Sequence, residues 1–296
     1  MSRIFDVIKK DNIIDFADLC VDDVSPIREP ARNPESQEYS SPGCVSPGRV
    51  SDDISSSCSG DRMVRLRLST FSPVFPFDKG HDTAAEQYRI IRTKILHSPK
   101  NPRLIVVSSA CSGDGKTVTS INIAAALALK EQSSVLLVDG DLRQPRVAEA
   151  LAIPVSPGLA EVLSGAADLE AALVRPEQFP NLFILPAGHA GASAAELLDS
   201  ERWRIFVKQV RARFAQVIFD APPIAMLADY DLIQMVCDAA ILVARPDHSN
   251  RAAFLKALEA VSPDKMLGVV LNCVENWWLW KTPAYGYYYR RSDGRP

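Results

Sequence analysis

Short, unbroken apolar runs punctuate the chain from Leu104 onward. They fall at 104–107, 134–138, 181–186, 216–219, 240–244 and 267–271. Runs of this length, rich in aliphatics and bounded by polar residues, predict strands buried on both faces, as in a parallel sheet. Between them the apolar positions recur every three or four residues. That spacing predicts helices at 117–129, 158–163, 168–173, 194–198, 203–214 and 250–261. One more helix precedes the first strand. It covers 83–96, with Asp82 as its N-cap and with Tyr88, Ile91 and Ile95 on one face. Alternation of strand and helix predicts an α/β fold with a doubly wound, mostly parallel sheet. Right-handed crossovers then gather the C-terminal ends of the strands on one edge, where ligands bind in such folds.

Ahead of this region the pattern weakens. Residues 1–20 intersperse Ile4, Phe5, Val7, Ile8, Ile13, Ile14 and Phe16 among charged residues, which predicts two short amphipathic helical turns. Such a segment is either a loosely packed terminus or a docking element for a partner or a membrane surface. Residues 21–81 read mostly as a disordered linker. They include SSPGCVSPGRVSDDISSSCSG, too poor in aliphatics to offset its ordering entropy. Within it, 63–68 alternates apolar and basic residues and reads as a short strand or an extended arm. The folded domain is therefore expected over 82–276, followed by an aromatic tail over 277–296.

Composition narrows the class. Of 296 residues, 47% are hydrophobic and 23% charged, the balance of a globular protein. A net charge of −3 gives no reason to expect nucleic-acid binding. Six cysteines, at 20, 44, 58, 111, 237 and 273, include no C-x-x-C pair, which points to reduced thiols rather than a zinc site or a disulfide framework. No apolar run reaches membrane-spanning length and the first residues lack a secretory apolar core, so a cytoplasmic chain is expected.

The chemistry concentrates in three places. Between the first strand and its helix lies Ala110-Cys-Ser-Gly-Asp-Gly-Lys-Thr117. A strand, a glycine-bearing loop ending in Gly-Lys-Thr and a helix make a P-loop. Amides of Ser112, Gly113, Asp114, Gly115 and Val118 are placed to cradle phosphates at the positive end of the helix, Lys116 to reach the β- and γ-phosphates, and Thr117 to ligate Mg²⁺. The usual first glycine is replaced by Ala110. The second place is Asp139-Gly-Asp141-Leu-Arg143, which closes a buried strand. Two carboxylates at that edge can bind Mg²⁺ or accept a proton from an attacking hydroxyl. The third is Asp220, directly after an apolar run and before Ala-Pro-Pro, the Walker B arrangement that holds Mg²⁺ through water. Two other features stand apart. Glu86, Arg89 and Arg92 recur every three residues on one helix face, either as intersubunit ion pairs or as a solvated surface with weak pairs. Tyr285, Tyr287, Tyr288 and Tyr289 crowd the tail among Gly, Pro and Arg. They read as an aromatic tail packed on its own domain or as phenols offered to a phosphoryl donor.

Together these residues resemble the bacterial tyrosine kinases (BY-kinases) of capsule and exopolysaccharide synthesis, over about residues 82–290. The resemblance rests on the loop from Ala110 to Thr117, on Asp139-Gly-Asp141-Leu-Arg143 as the family's Walker A′ segment, on Asp220 with its prolines, and on the tyrosine-rich tail. Glu86-x-x-Arg89-x-x-Arg92 is similar to the family's ring-forming motif. The family's common loop reads Ala-x-Pro-Gly-Glu-Gly-Lys. Cys-Ser and Asp114 depart from it here, which affects loop stiffness more than chemistry. The resemblance implies ATP- and Mg²⁺-dependent autophosphorylation in trans, with Lys116, Asp139, Asp141 and Asp220 catalytic and with Thr117 and the three aspartates around the metal. Asp139 would orient or deprotonate the phenol, Asp141 would support the metal, and Arg143 would lie beside the nucleotide. It implies a ring-like homo-oligomer, an octamer being one candidate size, and a membrane-embedded polysaccharide co-polymerase as partner and activator, which would hold this stand-alone kinase at the inner face of the membrane. Other tyrosine-bearing proteins would serve as further substrates. Two alternatives stand beside it. A partitioning or division-site switch ATPase shares the fold but carries a lysine where this chain has Cys111. The second is a nucleotide-binding scaffold with little catalysis that recruits a polysaccharide export complex, which no missing catalytic residue favours.

Overall fold

The computed structural model describes residues 3–5, 62–66, 74–75, 82–131, 133–190, 194–224, 228–246 and 248–274. Tyr285, Tyr287, Tyr288 and Tyr289, and the linker reading over 21–61, lie outside the described residues.

The centre is a parallel sheet made from the apolar runs. It contains β3 (Leu104–Ser109), β4 (Val135–Asp139), β6 (Leu182–Leu185), β7 (Gln216–Asp220), β8 (Ala239–Ala244) and β9 (Met266–Leu271). β3, β4 and β8 are buried at every position, which is why their sequences run apolar without alternating. Three short strands extend the edges: β1 (Arg3–Phe5), β2 (Arg62–Val64) and β5 (Val174–Pro176). The order among the described residues is β1-β9-β8-β3-β7-β4-β6-β5-β2. The central six are mutually parallel, while β1 runs antiparallel to β9 and β5 antiparallel to β6, so the sheet is mostly parallel with reversed strands at its edges.

The helices match the expected sequence of elements, with additions. They are α1 (Asp82–Leu96), α2 (Lys116–Ala128), α3 (Val147–Leu151), α4 (Leu159–Ser164), α5 (Leu169–Ala172), α6 (Ala194–Leu198), α7 (Glu201–Arg213), α8 (Ala228–Val236) and α9 (Arg251–Ala260). α7 is capped by Ser200, whose Oγ accepts from the Trp203 amide at 3.1 Å, and α9 by Asn250, which accepts from Ala252 and Ala253. α3, β5 and α8 were not expected. α3 and β5 are too short to build a periodic signal, and the Pro-Pro preceding α8 reads as a turn rather than the approach to a helix.

Two expectations are corrected. Arg3–Phe5 forms a strand, not a helical turn: it pairs with Val269–Leu271. The open edge of β9 supplies hydrogen-bond partners that an isolated turn lacks, and Ile-Phe suits a pleated edge. The strand expected within 63–68 is present, at Arg62–Val64, but the linker reading around it extends too far at Val74 and Phe75. Arg62–Val64 pairs in parallel with β5, and the Glu177 amide donates to the Val64 carbonyl at 3.1 Å. Leu66, Val74 and Phe75 are buried in the core, and the Phe75 amide donates to Asn122 Oδ1 of α2 at 2.7 Å. A ring stack of Phe75 on Phe179, 4.6 Å between centroids, fixes the same segment. A few large apolar residues suffice to anchor an arm whose average composition reads as unfoldable.

Candidate active site

The register of the central strands brings the chemistry together. β7 lies between β3 and β4, and Asp139 at the end of β4 is directly opposite Asp220 at the end of β7. The P-loop leaves the end of β3 beside them. The Gly140 amide donates to the Asp220 carbonyl at 2.8 Å, the Ala221 amide to Val107, and Ser108 Oγ to the Pro222 carbonyl, so all three loops are tied at one edge.

The loop itself is built for an anion. Gly113 and Gly115 both have φ of 91°, a conformation that glycine adopts freely. A Cβ on Gly115 would also come within 1.9 Å of Asn272 Nδ2. Gly115 occupies the N-cap position of α2, so the first turn of this helix has no side-chain cap. Its amides and the positive end of its dipole are left for a ligand, and Ser112 and Gly113 are exposed on that side.

Charge in the site is one-sided. Lys116 Nζ lies 2.9 Å from Asp141 Oδ2 and 3.8 Å from Asp220 Oδ2. Thr117 Oγ1 donates to Asp220 Oδ2 at 2.7 Å, and Ser120 Oγ is 3.1 Å from Asp220 Oδ1. Asp139 and Asp220 are fully buried and Asp141 nearly so. Asp139 is enclosed by amides: Oδ2 accepts from Arg146 and Val147, at the start of α3, and Oδ1 from Asp141. Burial, with the neighbouring Asp220 charge, pushes Asp139 up to about 7 against the pull of the Val147 amide and of Lys116. Burial likewise raises Asp220, although Lys116 and the Thr117 hydroxyl pull it down. For Lys116, burial works against the charge, but Asp220 and Asp141 outweigh it and hold the ammonium above its ordinary range.

Three carboxylates facing one ammonium under an uncapped helix fit a divalent cation and a polyphosphate. No group of three or more His, Cys, Asp or Glu side chains among the described residues forms a ready cage for a metal ion. That suits Mg²⁺, which keeps most of its waters and takes few ligands from the protein. Thr117 and Asp220 are the groups best placed to hold it.

The remaining sequence-derived residues are placed as follows. Asp114 has its carboxylate turned into the protein, where it accepts from the Cys111 amide, so only its backbone can face a phosphate. Val118 is half-buried in the first turn of α2. Arg143 is held by Asp229 of α8 through two contacts, 2.7 and 3.2 Å. On α1, Glu86 and Arg89 pair with each other at 3.2 Å, and Arg92 reaches the Ala126 carbonyl of α2. Ser120, Asp229, His248, Ser249 and Asn272 were missed. Ser120 falls one turn after Thr117 and was readable by helical period. Asn272, His248 and Ser249 follow strands that end at the ligand edge, so the edge rule alone could have flagged them.

A family model described as an AAA domain matches residues 102–258. Tyrosine-protein kinase YwqD of Bacillus subtilis is 34% identical over 208 residues, covering 69% of this chain and 86% of that protein. The chain belongs to the BY-kinase family. Tyrosine-protein kinase CpsD of Streptococcus pneumoniae serotype 4 is 35% identical over 192 residues, covering 64% of this BY-kinase and 84% of its relative. The VpsO kinase domain superposes with a TM-score of 0.59 at 27% identity, over 66% of this chain and 98% of that one. This BY-kinase is thus a protein-tyrosine kinase with a P-loop ATP site, of the capsule and exopolysaccharide class. The switch-ATPase and scaffold alternatives are not favoured. No helix among the described residues is long and apolar enough to cross a membrane.

Proposed function

We propose that this BY-kinase transfers the γ-phosphoryl group of Mg²⁺-bound ATP to Tyr285, Tyr287, Tyr288 and Tyr289 of a neighbouring copy. The observation that carries the reading is the contact of Thr117 Oγ1 with Asp220 Oδ2 at 2.7 Å, with Lys116 set among the carboxylates beneath the uncapped start of α2. Bound Mg²⁺ supplies charge neutralisation at the phosphates. The loop amides and Lys116 would hold the β/γ-phosphate charge, and Thr117 and Asp220 would hold the metal. Asp141 supports the metal site. Asp139 orients the incoming phenol or takes its proton: a phenol titrates near pH 10 in water, and a carboxyl raised to about 7 is a better matched base than an ordinary aspartate. The amides around Asp139 must yield for direct contact, so the exchange Asp139→Asn is decisive: full turnover would leave it only a capping role.

The last strand supports delivery of the tail. β9 ends at the ligand edge, and Asn272 Nδ2 donates to the Asp114 carbonyl at 3.1 Å. The chain therefore passes the P-loop at Asn272, and from there to Tyr285 an extended chain can span on the order of 40 Å, enough to enter an adjacent subunit. The proposal includes a ring-like homo-oligomer through Glu86, Arg89 and Arg92, a membrane polysaccharide co-polymerase as activator and peripheral anchor, and further protein-tyrosine substrates.

The test is peptide mass after incubation with ATP and Mg²⁺, with a candidate activator's cytoplasmic segment added. Wild type, Lys116→Ala and a chain ending at Pro283 are compared. Phosphate on Tyr285 to Tyr289 in wild type alone is expected. ATP turnover without phosphotyrosine would return the switch-ATPase reading.

A further inference from the structure

The P-loop carries a fully buried carboxylate of its own, Asp114. An acid inside a phosphate-binding loop is unfavourable twice over: burial penalises its charge, and its charge opposes the ligand's. The structure shows what offsets both. Asp114 Oδ2 accepts from the Cys111 amide at 3.0 Å, closing the loop on itself. Oδ1 accepts from Ser249 Oγ at 2.7 Å and faces His248 Nδ1 at 3.0 Å. That contact is a hydrogen bond from His248 to Asp114 in the tautomer that carries its hydrogen on Nδ1.

His248 and Ser249 belong to the segment after β8, and hydrogen bonds tie them back to Arg245. The His248 and Ser249 amides donate to the Arg245 carbonyl at 3.0 and 2.7 Å. Ser249 Oγ, while donating to Asp114, accepts from the Arg245 amide at 2.8 Å. The next residue, Asn250, caps α9. The imidazole also lies against the loop backbone: a Cβ on Gly113 would fall 3.0 Å from His248 Cε1. From the other side Asn272 holds the Asp114 carbonyl. Ser112 and Gly113 are exposed, and the bond from the Cys111 amide to Asp114 spans them. The loop is also held from outside, through Asp114.

We propose that His248 and Ser249 are positioning residues of the nucleotide site, holding the Asp114 carboxylate and through it the loop in the shape that takes a polyphosphate. This rests on the ATP reading given above. Neither residue touches the reacting atoms. Removing one frees the carboxylate to turn toward the ligand and loosens the loop, so the loss falls on nucleotide affinity and not on the phosphoryl-transfer step.

The experiment titrates Mg·ADP into the full chain by calorimetry and measures KM for ATP and kcat for tail phosphorylation. Wild type, Ser249→Ala, His248→Leu and His248→Asn are compared, with nucleotide-free melting as the check on folding. Losing a hydrogen bond to a charged group weakens ADP by about tenfold in the Ala and Leu variants, and KM rises in parallel. His248→Asn keeps an N–H near the place of Nδ1 and recovers most of the affinity. Unchanged affinity in Ser249→Ala and His248→Leu, or a fall in kcat at unchanged KM, overturns the proposal while leaving the ATP reading intact. A wild type that binds no ADP overturns the ATP reading and the proposal together.

Discussion

Gly115 joins two requirements that no other residue meets. Its φ of 91° strains any side chain, and a Cβ would strike Asn272, which is already bonded to the loop. Gly115→Ala must therefore displace the loop or the end of β9. We expect nucleotide affinity to fall by at least about a hundredfold, against a stability loss of only about 1–3 kcal/mol. Calorimetry and urea unfolding read the two separately, and an Ala variant that binds ADP normally would refute the cradle. Asp139 gives a prediction of a different kind. Its folded-state value of about 7 lies above the ordinary 3.8, so the folded chain holds this proton more tightly than the unfolded one. The stabilisation is complete below 3.8 and is lost as pH rises through 7. The metal-free, nucleotide-free protein should accordingly show a lower urea midpoint at pH 8 than at pH 5.5, and Asp139→Asn should flatten that difference. An equally steep dependence in the Asn variant would assign it to another group.

At the scale of elements, the sequence was legible where burial is uniform. β3, β4 and β8 are apolar throughout because both faces are covered, and their aspartate and P-loop endings followed from the edge rule. Asp139 and Asp220 were each visible as strand-ending carboxylates. That they stand opposite each other was not, since strand order and register are long-range choices that period and composition do not encode. The same limit hid where the arm read at 63–68 docks, and that Val74 and Phe75 are buried. The arm's apolar residues are sparse along the chain but converge on α2 and β5 in space. A chain begun at Thr83 therefore loses Leu66, Val74 and Phe75 from the core. We expect it to be about 3 kcal/mol less stable by urea unfolding, an estimate that allows for the ordering entropy the arm no longer spends. A shortened chain as stable as the full one would restore the boundary at 82.

At the scale of the whole molecule, the question is what α1 is for. Glu86 and Arg89 form a pair within the helix at 3.2 Å, and both are roughly half exposed. Such a pair contributes only about 0–1 kcal/mol to the folded chain. Exchanging it for a pair across a subunit boundary therefore costs little, and the same residues can serve a closed ring without weakening the monomer. The double variant Glu86→Ala, Arg89→Ala should then melt within a few degrees of wild type yet run as a monomer in light scattering. Its tail phosphorylation should become second order in enzyme concentration or vanish, because a tail can no longer find a neighbour's site at high local concentration. Phosphorylation acts on the same equilibrium from the other end. Each phosphotyrosine would add nearly two negative charges to its tail, and tails gathered in a ring would repel one another. Phosphatase-treated wild type should run large and the ATP-treated form small, with the shift weakened by salt as exposed charges are screened. If both forms have the same mass, or if the double variant still assembles, α1 is a solvated face and the tail must reach its site by another route.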